Sequence, residues 1–259
     1  MAAAGKMSLA SGAPAQRDVI VLRLLVALVI FGAWEAVSRS GLFYGEVIPS
    51  LTRIWTSLIK LLGDGVFYRN LQVTTFETVV ALAIGAGCGI AVGIGLGANR
   101  FLMRAFEPYV YYLSPTPRII LFPVMIMWFG VGPSSKIALG ALSAFFAIAL
   151  STAAGMRQID PVLIRVGRSF RSSLWQMTLK IYLPAMRVPI LNGLRLGMGT
   201  AIITVLLGET KLSNQGLGYM IMQVYTRFDM PGLYALLIVV FLLAGAVNAL
   251  IGHFARDGA

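Results

Sequence analysis

Six runs of roughly 20 mainly apolar residues constrain this chain of 259 residues more than any other feature. A helix needs about 20 such residues to cross the hydrocarbon core of a bilayer. Charged residues make up only 12% of the chain, whereas an average soluble protein has about 25%. The sequence therefore predicts an all-α membrane protein with six transmembrane helices, at residues 19–37, 78–98, 105–129, 137–156, 189–207 and 233–252.

The ends of the chain and the charge distribution suggest its topology. Residues 1–16, rich in Ala, Gly and Ser, are predicted to be a disordered tail, and residues 17–259 a single transmembrane domain. No small-x-small cleavage pattern follows the first run, so we expect a retained span rather than a signal peptide. With the N-terminus in the cytoplasm, thirteen Lys and Arg residues fall inside and seven outside. The positive-inside rule then predicts that both termini are cytoplasmic.

Several function classes are disfavoured by the composition. The net charge of +11 is accounted for by the positive-inside bias, so no nucleic-acid partner is expected. Cys88 and His253 are the only cysteine and histidine, too few for a metal site built from those ligands. No catalytic motif is found, and Glu77 and Glu107 are expected to be interface charges at span ends. We expect no catalytic residue, metal or cofactor in this chain, so that uphill transport would need energy from a partner.

Two further patterns predict local packing. Residues 49–70 carry apolar side chains at helical spacing, which indicates an amphipathic helix at the outer membrane interface. The second run holds glycines four positions apart, on one helix face, where they would let another helix approach closely. These glycines are Gly85, Gly89, Gly93 and Gly97.

The loop between the fourth and fifth runs, residues 157–184, combines arginines with apolar residues at helical spacing. Asp160 before Pro161 is a favourable helix N-cap, and Ser172 or Ser173 could cap a second short helix. Two short amphipathic helices are therefore predicted on the cytoplasmic surface, for binding either anionic lipid or a cytoplasmic protein. The residues expected to take part are Asp160, Arg165, Gly167, Arg168, Phe170, Arg171, Ser172, Trp175, Leu183 and Pro184.

This loop resembles the coupling motif of binding-protein-dependent ABC importer permeases: Glu-Ala-Ala, three residues, Gly, nine residues, then Ile-x-Leu-Pro. Residues 181–184 match its end, whereas Arg171 stands at the Gly position and residues 165–167 at the Glu-Ala-Ala position. Further segments resemble the nitrate, taurine and aliphatic-sulfonate branch of that family. They are residues 117–123, 128–132, 135–137, 183–189, 193–197, 205–209 and 216–219.

The resemblance implies a type I importer permease fold in the inner (plasma) membrane of a bacterial cell. It also implies a homodimer surrounded by lipid, two cytoplasmic ATPase subunits that carry ATP and Mg, and a soluble substrate-binding protein outside. The substrate would be a small anion, such as a sulfonate or nitrate-like ion, or a small heterocyclic nutrient. The alternatives are a scaffold subunit of an energy-coupling-factor vitamin transporter and, less favoured, a membrane enzyme.

Arg118 lies inside the third run, among Pro115, Pro117 and Pro123. The prolines predict a broken helix, which is tolerated where it lines a cavity. A guanidinium at such a depth costs about 2.5–3.5 kcal/mol. It either snorkels or bonds backbone carbonyls, or it lines a pathway for an anionic or carbonyl-rich solute. The candidate pathway residues are Arg118, Tyr111, Tyr112, Trp128, Phe145, Phe146 and Glu209, with lipid-facing or packing roles as the alternative for the aromatic ones.

Overall fold

The computed structural model describes residues 16–42, 47–113 and 116–256, and within these ranges the protein is helical without a β-strand. The predicted tail at residues 1–16 lies outside the described residues except for its last residue, where the first helix begins. The helices are α1 Gln16–Arg39, α2 Leu51–Leu62, α3 Gly65–Ala98, α4 Arg100–Leu113, α5 Phe122–Phe129, α6 Pro133–Arg157, α7 Pro161–Ser169, α8 Leu174–Met177, α9 Leu183–Ala185, α10 Arg187–Lys211, α11 Leu217–Thr226 and α12 Met230–Arg256. A 3-10 turn, Arg118–Leu121, precedes α5, and a π-helical turn, Thr178–Tyr182, joins α8 to α9.

Five of the described helices, α1, α3, α6, α10 and α12, are long and apolar enough to cross a membrane. The third predicted span, residues 105–129, is not one continuous helix. Its residues are divided between α4, the 3-10 turn and the short apolar α5. The physical reason is the set of prolines, because each lacks a backbone N–H donor and disfavours helical geometry in the residue before it.

The predicted amphipathic helix at residues 49–70 is also corrected. The helix α2 ends at Leu62, and Asp64 then caps α3, its carboxylate accepting a hydrogen bond from the Val66 N–H at 2.9 Å. As a result α3 begins well before residue 78 and is 34 residues long, about 50 Å. Its first turns carry buried polar residues, which is why hydropathy placed its start too late.

The chain forms two compact units, one ending at Thr56 and the other beginning at Ser57. In the first unit, side chains of α1 bind the segment that leads into α2. The Trp34 indole N–H donates to the Pro49 carbonyl at 3.1 Å, and Glu35 accepts from the Leu51 N–H at 3.0 Å. These bonds fix the end of α1 to the start of α2.

The second unit is built around the close packing of α3, α6 and α10. The four glycines of α3 face α6: a Cβ atom at Gly93 would lie 2.6 Å from the Thr152 Cβ and 2.7 Å from the Ala149 carbonyl oxygen. Gly87 and Gly95, on another face of the same helix, would meet nothing within 4 Å. The prediction that the glycine stripe serves helix packing is confirmed. The Ile148 side chain of α6, which meets Gly89 of α3, also lies against Gly197 of α10.

Candidate coupling surface and transport pathway

Two helix caps organise the segment from α7 to α9, which we call the coupling region. Asp160 Oδ1 accepts a hydrogen bond from the Val162 N–H at 2.8 Å, with Pro161 as the first residue of α7. Ser173 and Gln176 form a reciprocal capping box at the start of α8. Both predicted helices are therefore present, and of the two serines offered as the second cap it is Ser173 that serves.

The coupling region is packed against the ends of the long helices. Gly167 is buried, and a Cβ atom there would collide with the Met177 and Ile181 side chains. One buried apolar cluster joins the end of α6 to the start of α10 through the coupling region. Its members are Met156, Ile159, Met177, Tyr182, Met186 and Ile190. The coupling region is thus in direct packing contact with the end of α6 and the start of α10.

Arg171 has a left-handed backbone conformation, with φ 49°. It stands where the coupling motif has glycine, and the turn from α7 toward α8 requires this geometry. This conformation costs an L-residue about 1–2 kcal/mol, whereas glycine adopts it without that cost. The side chain at position 171 therefore differs from the glycine of the motif, but the backbone there keeps the conformation that glycine favours.

The outward face of the coupling region exposes large apolar side chains among arginines. Phe170, Leu174 and Trp175 are 81%, 85% and 70% exposed. The predicted site residues Arg165, Arg168, Arg171 and Pro184 are exposed as well, whereas Ser172 and Leu183 are half-buried. Aromatic residues and arginine are enriched at protein–protein interfaces. This combination is typical of a surface that another protein covers.

The candidate pathway residues are only partly brought together. Trp128 and Phe145 line one apolar cavity of about 630 Å³ between α3, α5 and α6, which also includes Cys88. The Arg118 guanidinium lies over the ring of Phe146, 5.0 Å from its centroid, and Phe146 packs edge-on against Phe145 at 5.1 Å.

The two tyrosines and Glu209 lie elsewhere. Tyr111 and Tyr112 pack edge-on against each other on α4, are largely exposed and do not line this cavity. Glu209 is fully buried and holds the loop between α10 and α11. Its carboxylate accepts hydrogen bonds from the Thr74 hydroxyl at 2.7 Å and from the Gly218 N–H at 2.7 Å.

A buried ion pair near Glu209 was not anticipated. Glu77 was expected to be an interface charge and Lys136 was counted among the outer loop cations, but both side chains are almost fully buried. Lys136 Nζ lies 2.8 Å from Glu77 Oε1 and donates to Ser213 Oγ at 2.9 Å. A buried charge is costly unless it is paired, and the pairing explains how the protein tolerates both residues. The Glu107 side chain lies outside what the structure describes.

Two buried polar residues of α3 complete this network. Asn70 Oδ1 accepts from the Gly216 N–H at 2.7 Å, and Thr74 Oγ1 accepts from the Leu217 N–H at 2.8 Å. Gly216 has φ 104°, which glycine adopts without strain. The polar residues at positions 70, 74 and 77 share one face of α3 and were the available signal for this network.

Long apolar helices, an exposed coupling region and a large cavity between helices define a membrane transport subunit. The family model described as "Binding-protein-dependent transport system inner membrane component" matches residues 83–257, and the chain belongs to this family. It is the permease component of an ABC importer. The vitamin-transporter scaffold considered as an alternative is not favoured.

Named relatives and solved structures agree with this assignment. The aliphatic sulfonates transport permease SsuC of Escherichia coli is 33% identical over 74% of this chain and 73% of its own length. SsuC of Bacillus subtilis is 31% identical over 77% of this chain and 72% of its own length. The Escherichia coli taurine transport permease TauC is 28% identical over 92% of this chain and 89% of its own length.

The comparison of structures bears on the fold. The MetNI methionine ABC transporter in an inward-facing conformation superposes with a TM-score of 0.67 at 21% identity, over 78% of this chain and 98% of that one. A bacterial alginate ABC transporter superposes with a TM-score of 0.60 at 14% identity, over 93% of this chain and 94% of that one. The predicted type I importer permease fold is thereby confirmed.

Proposed function

We propose that this chain works as a homodimer that imports a small organic sulfonate, driven by two cytoplasmic ATPase subunits and supplied by a soluble binding protein on the outer side. The ATP and Mg would be bound by the ATPases, not by this chain. The observation that carries the proposal is the exposed apolar face of the coupling region, formed by Phe170, Leu174 and Trp175 among arginines.

The packing of the coupling region supports a mechanical role. When ATP draws the two ATPases together, each would push its coupling region. The buried cluster around Met156 and Met186 would carry this displacement to the end of α6 and the start of α10. The long helices then tilt, and the pathway exchanges an outward-open for an inward-open state, a two-state change biased by a ligand.

The direction of transport follows from the proposed topology, with both termini in the cytoplasm. Lys136 belongs to a buried pair and no longer counts as an outer loop cation. The cytoplasmic excess of Lys and Arg becomes thirteen against six, which strengthens the positive-inside argument. The coupling region then faces the cytoplasm, where an ATPase can bind it.

The sulfonate class is supported by the printed names of three relatives, two for aliphatic sulfonates and one for taurine. Arg118 is the pathway cation proposed to meet the anion, from its position over Phe146 beside the cavity lined by Phe145. In proteoliposomes, Arg118→Leu is expected to lower sulfonate uptake at least tenfold. Arg118→Lys is expected to retain part of it, because lysine keeps the positive charge but not the planar group that lies over Phe146. Equal uptake by wild type and Arg118→Leu would remove Arg118 from the pathway.

Docking is tested with two exposed tryptophans on short amphipathic helices. Trp175 of α8 is 70% exposed and Trp55 of α2 is 63% exposed, so the same substitution can be compared at both sites. Removing a tryptophan at the centre of an interface costs about 2 kcal/mol, or about thirtyfold in affinity. Trp175→Ser is therefore expected to lose the ATPase during purification and to abolish ATP-dependent uptake, whereas Trp55→Ser retains both. Equal retention of the ATPase by the two variants would contradict the proposal.

A further inference from the structure

A second cavity, of about 570 Å³, lies at the ends of α6 and α10 that are farthest from the coupling region. The helix α6 begins there at Pro133 and reaches the coupling region 25 residues later, about 37 Å away. The polar residues that line the cavity are Glu77, Lys136, Lys211, Ser213, Asn214 and Gln215. Its volume lies within the range of about 300–1,000 Å³ that is usual for small-molecule sites.

The lining carries one positive charge that is not matched by a negative one. Lys136 is paired with Glu77, whereas Lys211 at the end of α10 is exposed and makes no ion pair within the described residues. The side-chain amides of Asn214 and Gln215 likewise make no hydrogen bond to any part of the chain that the structure describes. One cation and two amide groups are the donors that an oxoanion needs.

The wall that carries these donors is held in place. Ser213 Oγ accepts from Lys136 Nζ and donates to the Gln215 carbonyl at 2.6 Å, and the Gly216 N–H donates to Asn70 at 2.7 Å. The loop from α10 to α11 is thus tied to α6 and α3 on either side of Asn214. A loop ordered in advance loses less entropy when it binds a ligand.

We propose that this cavity is an entry-side binding site for a small organic sulfonate, held by the Lys211 ammonium and the amides of Asn214 and Gln215. The site lies at the end of the bundle opposite the ATPase surface, where the binding protein of the proposed function would release its anion. The assignment of this cavity to the side where the substrate enters rests on that proposed function. The binding itself can be measured without transport.

The test measures the binding of ethanesulfonate to the full chain in lipid nanodiscs, without ATPase or binding protein. Saturation-transfer NMR of the ethyl protons reports the binding. Lys211→Gln is expected to weaken binding about threefold to tenfold, less than a fully buried charge-assisted bond because Lys211 is exposed. Lys60→Gln makes the same charge change at an exposed residue of α2 and is expected to alter the affinity less than about twofold.

Several results would overturn the site. They are the absence of saturable ethanesulfonate binding to the wild type, equal weakening by both lysine variants, or displacement by inorganic sulfate with equal or greater affinity. Failure of the proposed function is distinguishable, because Trp175→Ser tests the ATPase contact and leaves this cavity unchanged. If ethanesulfonate binding depends on Lys211 but the ATPase does not bind through Trp175, the binding site is supported and the proposed coupling is contradicted.

Discussion

The contact between α3 and α6 leads to a quantitative prediction at Gly93. An alanine Cβ there would lie 2.6 Å from the Thr152 Cβ, about 0.9 Å closer than the shortest ordinary carbon–carbon contact of about 3.5 Å. Neither that atom nor the Ala149 carbonyl can rotate away, since both are fixed by the α6 backbone. Overpacking of this kind costs about 1–3 kcal/mol, so Gly93→Ala is expected to destabilise the protein by that amount.

Gly95 is the matched control, two residues away on the same helix. Its Cβ would meet nothing within 4 Å, so Gly95→Ala gains up to about 1 kcal/mol from helix propensity. The two variants therefore differ by about 1–4 kcal/mol, or roughly 2–16 °C in Tm for a chain of this size. Thermal melting in one detergent, followed by tryptophan fluorescence, measures the gap. Identical Tm values for the two variants would refute the close approach of α3 to α6.

Two further predictions concern the buried network and the coupling region. Thr74→Val removes the hydroxyl that donates to Glu209 and accepts from the Leu217 N–H, and it is expected to lower the free energy of unfolding by about 2–4 kcal/mol. The control, Thr75→Val at an exposed position, is expected to change it by less than about 0.5 kcal/mol. Melting in one detergent compares them, and similar losses would contradict the network. Arg171→Gly is expected to stabilise the coupling region by about 1 kcal/mol, because glycine adopts the left-handed backbone conformation without strain. Arg168→Gly, inside α7, is expected to destabilise it by a similar amount, because glycine is a poor helix former. Hydrogen exchange of α7 and α8 reports both, and a loss of protection in Arg171→Gly would contradict the assignment.

The features that could be predicted from the sequence are those encoded locally. The cap at Asp160, the second cap at Ser172 or Ser173 and the glycine stripe of α3 each depend on residues that lie within or next to a single helix. Proline chemistry likewise signalled the break around Arg118. A short pattern is enough where the physical cause lies within the same helix.

The buried network could not be found this way because its members are distant in sequence. Thr74 and Glu209 are 135 positions apart, and only the fold brings them to hydrogen-bonding distance. Hydropathy placed Glu77 at an interface and Lys136 in a loop, since a charge looks solvated until its partner is known. The cavity beside Lys211 was missed for the same reason, because its lining comes from three separate helices and two loops.

Binding of an ATPase to the coupling region can be measured by cross-linking from a single cysteine. Leu174→Cys in a Cys88→Ala background places the only thiol on the surface of α8, at a position 85% exposed in the wild type. We expect a cross-link to the ATPase subunit from this position and none from Trp55→Cys in the same background. An ATPase cross-link from Trp55→Cys, or none from Leu174→Cys in a complex that still hydrolyses ATP, would contradict it.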